Sequence, residues 1–193
     1  MSSAYAVLFA GLMATGGEPP APDTSGAQVI ADYDKSDLLV QVAGYSLIVT
    51  AAILVFFGGA LRTVLNAARR HWTSDVALMG FVVMALTLAG FAVSAFAIHS
   101  AVDTGNPPVA QAINVLDNSN FLPAMLGLIC SMVGTGVAAL RGALLPRWLA
   151  IASIAIGCLA PMGPGGFVPF SLFPIWLIAV AALVRRPQQL PAA

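Results

Sequence analysis

Residues 38–61 and 76–98 run without a single charged side chain. At 1.5 Å per residue each forms a helix of about 35 Å, enough to cross a hydrocarbon core of about 30 Å. In lipid every backbone N–H and C=O must be satisfied within the protein, and a helix does this inside one segment. The chain is therefore read as an all-α polytopic transmembrane helix bundle. Composition agrees, because 8% of its residues are charged and 59% are apolar, against about a quarter charged in soluble domains. Its 193 residues form a single transmembrane domain and leave no length for a soluble catalytic module beside the spans.

A third span is expected over 121–140, with Pro123 in the first turn, where a missing N–H does no harm. The stretch 148–184 would reach about 55 Å as one helix, nearly twice the core. PMGPGG at 161–166 supplies the breakers. The stretch is therefore read as two arms, 146–160 and 167–184, folded into a hairpin; the first arm is short for a full span, and a start inside the interface at Leu144 would lengthen it. At the N-terminus, 4–15 offers about a dozen apolar residues, short for a span. We take 3–17 as an uncleaved first span, giving six helices; were it a cleaved signal peptide, five would remain.

Charge placement tests this topology, since cytoplasmic loops are enriched in Lys and Arg. All seven arginines, Arg62, Arg69, Arg70, Arg141, Arg147, Arg185 and Arg186, fall on one side of it. Glu18, Asp23, Asp32, Asp34, Asp37, Asp103 and Asp117 fall on the other, with Lys35 and Asp75 as the exceptions. A hairpin at 161–166 is needed for this, because a single span there would carry Arg185 and Arg186 across. Both termini are then expected in the cytoplasm, as in a multi-pass protein of a bacterial plasma membrane.

Four stretches carry a likeness in pattern: a first apolar segment followed by PPAPDTSGAQVIADYDK, the basic junction LRTVLNAARR, ALLPRWLAIASIAIG, and the terminal FPIWLIAVAALVRR. On these the chain resembles a group of small, mostly actinobacterial multi-span integral membrane proteins that share a domain of unknown function. The resemblance implies a six-span bundle and no known activity, so it assigns no functional residue. The short first segment departs from that group.

Exclusions say most about function. No ionisable residue lies inside an expected span, which removes the usual mark of proton relays, coupled transport and voltage sensing. Lys35, the sole lysine, sits in an external loop, so no retinal Schiff base is available. His71 and His99 flank one helix at about 42 Å and cannot share a haem iron. Cys130 and Cys158 differ in depth along their helices and are read as two buried, unpaired thiols. No catalytic residue, metal site or cofactor is expected. An acidic outer segment argues against nucleic acid as a partner.

Candidate ligand-binding residues gather at the outer mouth. Gln41 and Tyr45 are one turn apart, with Ser46 and Thr50 deeper; His99 and Asp103 stand at i and i+4. In AINVLDNSNFLPAM, Asn114, Asp117 and Asn118 share one face if helical, and Asn120 lies nearest the hydrocarbon. That stretch is expected outside the membrane with its polar face toward water. The external segment 23–37 is expected to form an amphipathic helix, capped at Asp23 or Thr24, with Val29, Ile30 and Tyr33 on one face.

Small residues recur at helical spacing. Gly127, Ser131, Thr135 and Ala139 form one row, Cys130, Gly134 and Ala138 its neighbour, and Gly90 with Ser94 and Ser153 with Gly157 mark further crossings. Such rows let membrane helices approach closely. Beside the lack of chemistry, they point to a non-catalytic accessory or interaction subunit of a membrane assembly, whose partners are the bilayer and other subunits or copies of itself. Two alternatives stay open: a permease or channel for a small neutral or apolar solute entered from the outer face between the acidic helix and Gln41, Tyr45 and Asn120, and an outer-face metalloenzyme using His99, Asp103 and Asp117.

Overall fold

A computed structural model describes residues 20–34, 37–68, 71–162 and 167–184. The expected first span at 3–17 and the turn at 163–166 lie outside them. The described residues form seven helices: α1 (Gly26–Asp34), α2 (Asp37–Ala68), α3 (Trp72–Asp103), α4 (Pro107–Ser119), α5 (Phe121–Gly142), α6 (Arg147–Leu159) and α7 (Phe167–Leu183). Three apolar runs are long enough to cross a membrane: Val40–Ala67, Trp72–Asp103 and the near-continuous α4–α5 run Pro107–Gly142. Arg147–Leu159 and Val168–Leu183 are shorter apolar helices.

The two long helices outrun their charge-free cores. Each has 32 residues, about 48 Å, because polar residues at their ends cap and pair instead of stopping the helix. His71 is the N-cap of α3, its side chain accepting from the Thr73 N–H. Ser74 Oγ donates to Asn66 Oδ1 at 2.6 Å and closes the α2–α3 turn. Asp75, the acid that broke the charge pattern, pairs with Arg62 Nε at 2.6 Å and sits in the first turn of α3, where the helix dipole favours a negative charge.

The α5–α6 turn departs from expectation. Leu144 and Leu145 do not begin α6; they are buried in the core ahead of Pro146, and the helix starts at Arg147. Ala143 closes α5 in the left-handed region at φ 52°, a conformation that burdens any side chain with a Cβ. Its N–H and that of Leu144 both return to the Ala139 carbonyl. Ala143→Gly is expected to raise stability by roughly 1 kcal/mol, read as a later midpoint in denaturant unfolding; an unchanged or earlier midpoint contradicts this.

One apolar core joins α2, α3, α5, α6 and α7. Its centre is aromatic: Phe81 (0% exposed) meets Phe57 at 5.5 Å, Phe173 at 6.2 Å and Trp176 at 6.2 Å between ring centroids. Trp176 Nε1 donates to Ser153 Oγ at 2.7 Å, while Ser153 donates to the Leu149 carbonyl. The bond fixes α7 on α6 and satisfies an indole N–H that lipid could not. Phe170, early in α7, packs on Phe121, the first residue of α5, at 5.6 Å. The first contact seats α7 on α6 and the second sets the start of α7 beside the start of α5; the turn expected at 161–166 falls largely outside the described residues.

The small-residue rows of α5 meet α3 and α6. A Cβ on Gly80 of α3 would lie 2.2 Å from Ser131 N, one on Gly127 2.6 Å from Met84 Cγ, and one on Gly134 2.8 Å from Ala77 N. Backbone therefore touches backbone at the α3–α5 crossing. Thr135 and Ser131 are fully buried. Gly157 of α6 faces Val133 and Met132 of α5. Both cysteines are free, but Cys158 is exposed on the outside of α6 and Cys130 only half-buried. The expectation of two buried thiols fails because Cys158 lies on the opposite side of α6 from Ser153, which faces α7.

Candidate functional site at the acidic end

The ends of the bundle differ in charge. At one, Arg62, Arg141 and Arg147 gather around the α2–α3 and α5–α6 turns, with Arg141 against the His71 ring. At the other stand Asp23, Asp32, Asp34, Asp103 and Asp117. The sequence-derived candidates all fall at the acidic end, which α1 and α4 cover.

The stretch expected as a wet loop is helical. Gly105 turns the chain at φ 58°, Asn106 caps α4 through Oδ1 to the Val109 N–H at 3.4 Å, and Pro107 and Pro108 occupy N1 and N2, where proline is tolerated. Its polar face turns inward, not to water. Asn114 is 0% exposed; its Nδ2 donates to the carbonyls of Ala21 at 3.0 Å and Pro20 at 3.3 Å. Asn118 Nδ2 reaches the same Pro20 carbonyl at 3.2 Å and the Asn114 carbonyl at 2.9 Å. The two amides thus hold the segment that leads into α1.

That segment turns through Thr24 N–H to the Ala21 carbonyl, and the Ser25 carbonyl takes the first amides of α1, so Ser25 opens the helix instead of Asp23 or Thr24. α1 covers Gly26–Asp34 only. Val29 is fully buried with Ala101 and Ala110, and Ile30, Tyr33 and Ile113 pack around them, the face expected from spacing. A Cβ on Gly26 would fall 1.9 Å from the Pro107 carbonyl oxygen. Behind this cap, the Ser94 hydroxyl bonds to the Asp117 carboxylate. Burial, and then the charge of Asp117, push the Tyr33 phenol up to about 12.

Asn120 joins α4 to α5. Its Nδ2 donates to the Thr87 carbonyl of α3 at 3.1 Å, and Gly90 leaves room for it, since a Cβ there would lie 2.7 Å from Nδ2. Gly90 and Ser94 thus receive side chains of α4 and its end, not a second helix backbone. Elsewhere on this end, Gln41 Nε2 lies 3.2 Å from His99 Nε2, and Asp103 Oδ2 lies 3.6 Å from the same nitrogen. The three connect α2 to α3. Tyr45 takes no part; it is 64% exposed, with its ring edge-on to Phe96 at 5.0 Å. Ser46 and Thr50 return their hydroxyls to the carbonyls of Val42 and Ser46.

The candidate residues therefore divide into three places. Asn114, Asp117, Asn118 and Asn120 fasten α1, α3 and α4 together. Gln41, His99 and Asp103 form a separate polar link, and Tyr45 faces outward. Among the described residues no three His, Cys, Asp or Glu side chains come together as metal ligands, so His99, Asp103 and Asp117 do not converge. Sequence spacing found the Asn114 and Asn118 face. It missed Ser94 as the partner of Asp117, and Gly26 as the contact point of the cap, for which a lone glycine opening a helix was the only signal.

Comparison with known proteins adds no relative: no protein-family model, no curated protein and no solved structure matches the chain.

Proposed function

We propose that this chain is an integral membrane protein that docks laterally on another membrane subunit, a second copy of itself or a different chain, and performs no chemistry of its own. The observation that carries this reading is the outward face of α2. Of the three long apolar runs α2 is the least covered, with 28% of its apolar stretch buried against 44% and 50% in the others. The open face is not uniformly bulky, as a lipid-facing side commonly is. Towards the basic end it presents Ala52, Ala60, Thr63 and Ala67, all exposed, and Gly59, where an added Cβ would meet nothing within 4 Å, around the projecting ring of Phe56, 70% exposed. The outward stripe of α3 is Met79, Leu86 and Val93, with no small residue among them. Small residues inside the protein are explained by its own crossings; on the α2 face they flank Phe56 and make an uneven surface on which another helix can interlock.

A permease is the weaker reading, because the aromatic centre around Phe81 fills the interior that a solute would traverse and the acidic end is covered by α1. In this proposal the arginine-rich end lies in the cytoplasm of a bacterial cell, following the bias of cytoplasmic loops, and the segment at 3–17 adds a sixth span. A photoreactive residue at position 60 is expected to form a discrete crosslinked species in intact membranes, and one at position 86 is not. Equal crosslinking from both, or none from position 60, contradicts the proposal.

A further inference from the structure

The basic end carries a surface that neither the core nor the acidic-end cap uses. Trp72 is 66% exposed and Trp148 62% exposed. Trp72 lies against His71 at 5.5 Å between rings, and His71 meets Arg141. Six residues further on, Arg147 and Trp148 open α6. The turn that presents them is pinned by Leu144 and Leu145, at 0% and 5% exposure, so their place on the surface is set by the core.

The cations here are not equivalent. Arg62 is paired with Asp75, and Arg141 is engaged by His71. Arg147 is exposed and pairs with no acid among the described residues. All the other described aspartates stand at the opposite end, so the field around Arg147 is positive. A guanidinium forks onto phosphate oxygens, and an exposed indole beside it settles at headgroup depth, its ring against the acyl-glycerol boundary. A free anion would use the first group and have no use for the second. The pairing fits a molecule that is anionic at one end and apolar at the other.

We propose that the α5–α6 turn binds the headgroup of an anionic phospholipid, with Arg147 on the phosphate, Trp148 against the glycerol region and Arg141 adding charge from behind. The site explains why an arginine that pairs with no acid among the described residues and an exposed tryptophan stand next to each other at the start of α6.

Native mass spectrometry of the full chain in detergent, titrated with phosphatidylglycerol and with phosphatidylcholine of the same acyl chains, tests it. The unaltered protein is expected to retain phosphatidylglycerol about tenfold more tightly, and Arg147→Gln to lose about fivefold of that preference. Arg62→Gln removes the same charge from a paired residue and is expected to leave the preference within about twofold. Glycerol phosphate at millimolar concentration is expected not to displace the lipid. Equal retention of the two lipids by the unaltered protein overturns the proposal. So does a loss in Arg62→Gln as large as in Arg147→Gln, which makes the effect diffuse charge, and so does displacement by glycerol phosphate, which makes the site one for free phosphate.

Discussion

Gly80→Ala is expected to destabilise the bundle by about 3 kcal/mol, the upper end for one added methyl in a packed interior. The new Cβ would lie 2.2 Å from Ser131 N and 2.7 Å from Cys130 C. Both are backbone atoms of α5, so no side chain can swing away and the helices must part. Parting them also loosens Gly127 on Met84 and Gly134 on Ala77, because the three contacts lie along one crossing. Dispersion falls steeply with such a gap, and in lipid no hydrophobic force compensates between helices. Gly59→Ala is the matched control for the single chain, read on monomer separated from any partner: its Cβ meets nothing of this chain within 4 Å, and alanine is the better helix former by about 1 kcal/mol. Denaturant unfolding of the detergent-solubilised protein should show a large loss at position 80 and none at position 59. A loss below about 1 kcal/mol at position 80 would mean that α3 and α5 are not in backbone contact.

Asn114→Leu is expected to release the cap while leaving the bundle folded. Leucine is of similar size but donates no hydrogen bond, so the carbonyls of Pro20 and Ala21 lose the Nδ2 that reaches them. Asn118 still bonds to Pro20 and the Thr24 N–H still bonds to Ala21, so the change removes two hydrogen bonds without leaving either carbonyl bare. Each such bond contributes about 0.5–1.5 kcal/mol net. If about 2 kcal/mol is taken from the docking of α1, its amides should exchange with deuterium about thirtyfold faster. Exchange in α3 and α5 should be unchanged. Unaltered exchange over Gly26–Asp34 would show that Val29 and its neighbours hold α1 without the amides.

These two positions mark where sequence reasoning succeeded and where it stopped. The long spans were legible because a charge-free run of that length has few other fates in water or lipid. The contact of α7 with α6 was legible because one helix over 148–184 would reach about 55 Å and PMGPGG interrupts it. The row Gly127, Ser131, Thr135 could be read on α5 from its spacing. Gly80 could not: it stands alone in a bulky stretch, and only the opposing backbone gives it meaning. Helix ends were underestimated, since His71 as a cap and Asp75 as a partner of Arg62 extend α3 beyond its apolar core. The stretch around Asn114 read as a wet loop because its asparagines are polar and two prolines precede it. Those prolines begin α4, and the partner of Asn114 lies at Pro20 and Ala21, far away in sequence. A polar face with spacing of i, i+3 and i+4 says that side chains share a side; it does not say whether that side meets water or another part of the chain. Tyr45 shows the converse, since its closeness in sequence to Gln41 does not bring it to the same place.

On the proposed function the interior of this bundle is closed and its docking surface is the outward face of α2. The mass of the particle extracted from native membranes with its surrounding lipid by an amphipathic polymer tests this most directly. A particle containing more than one 19.8 kDa chain is expected, and Gly59→Leu, which adds bulk to this face, is expected to reduce it to a single chain that remains folded. A single chain from the unaltered protein, or an assembly unchanged by Gly59→Leu, would contradict it.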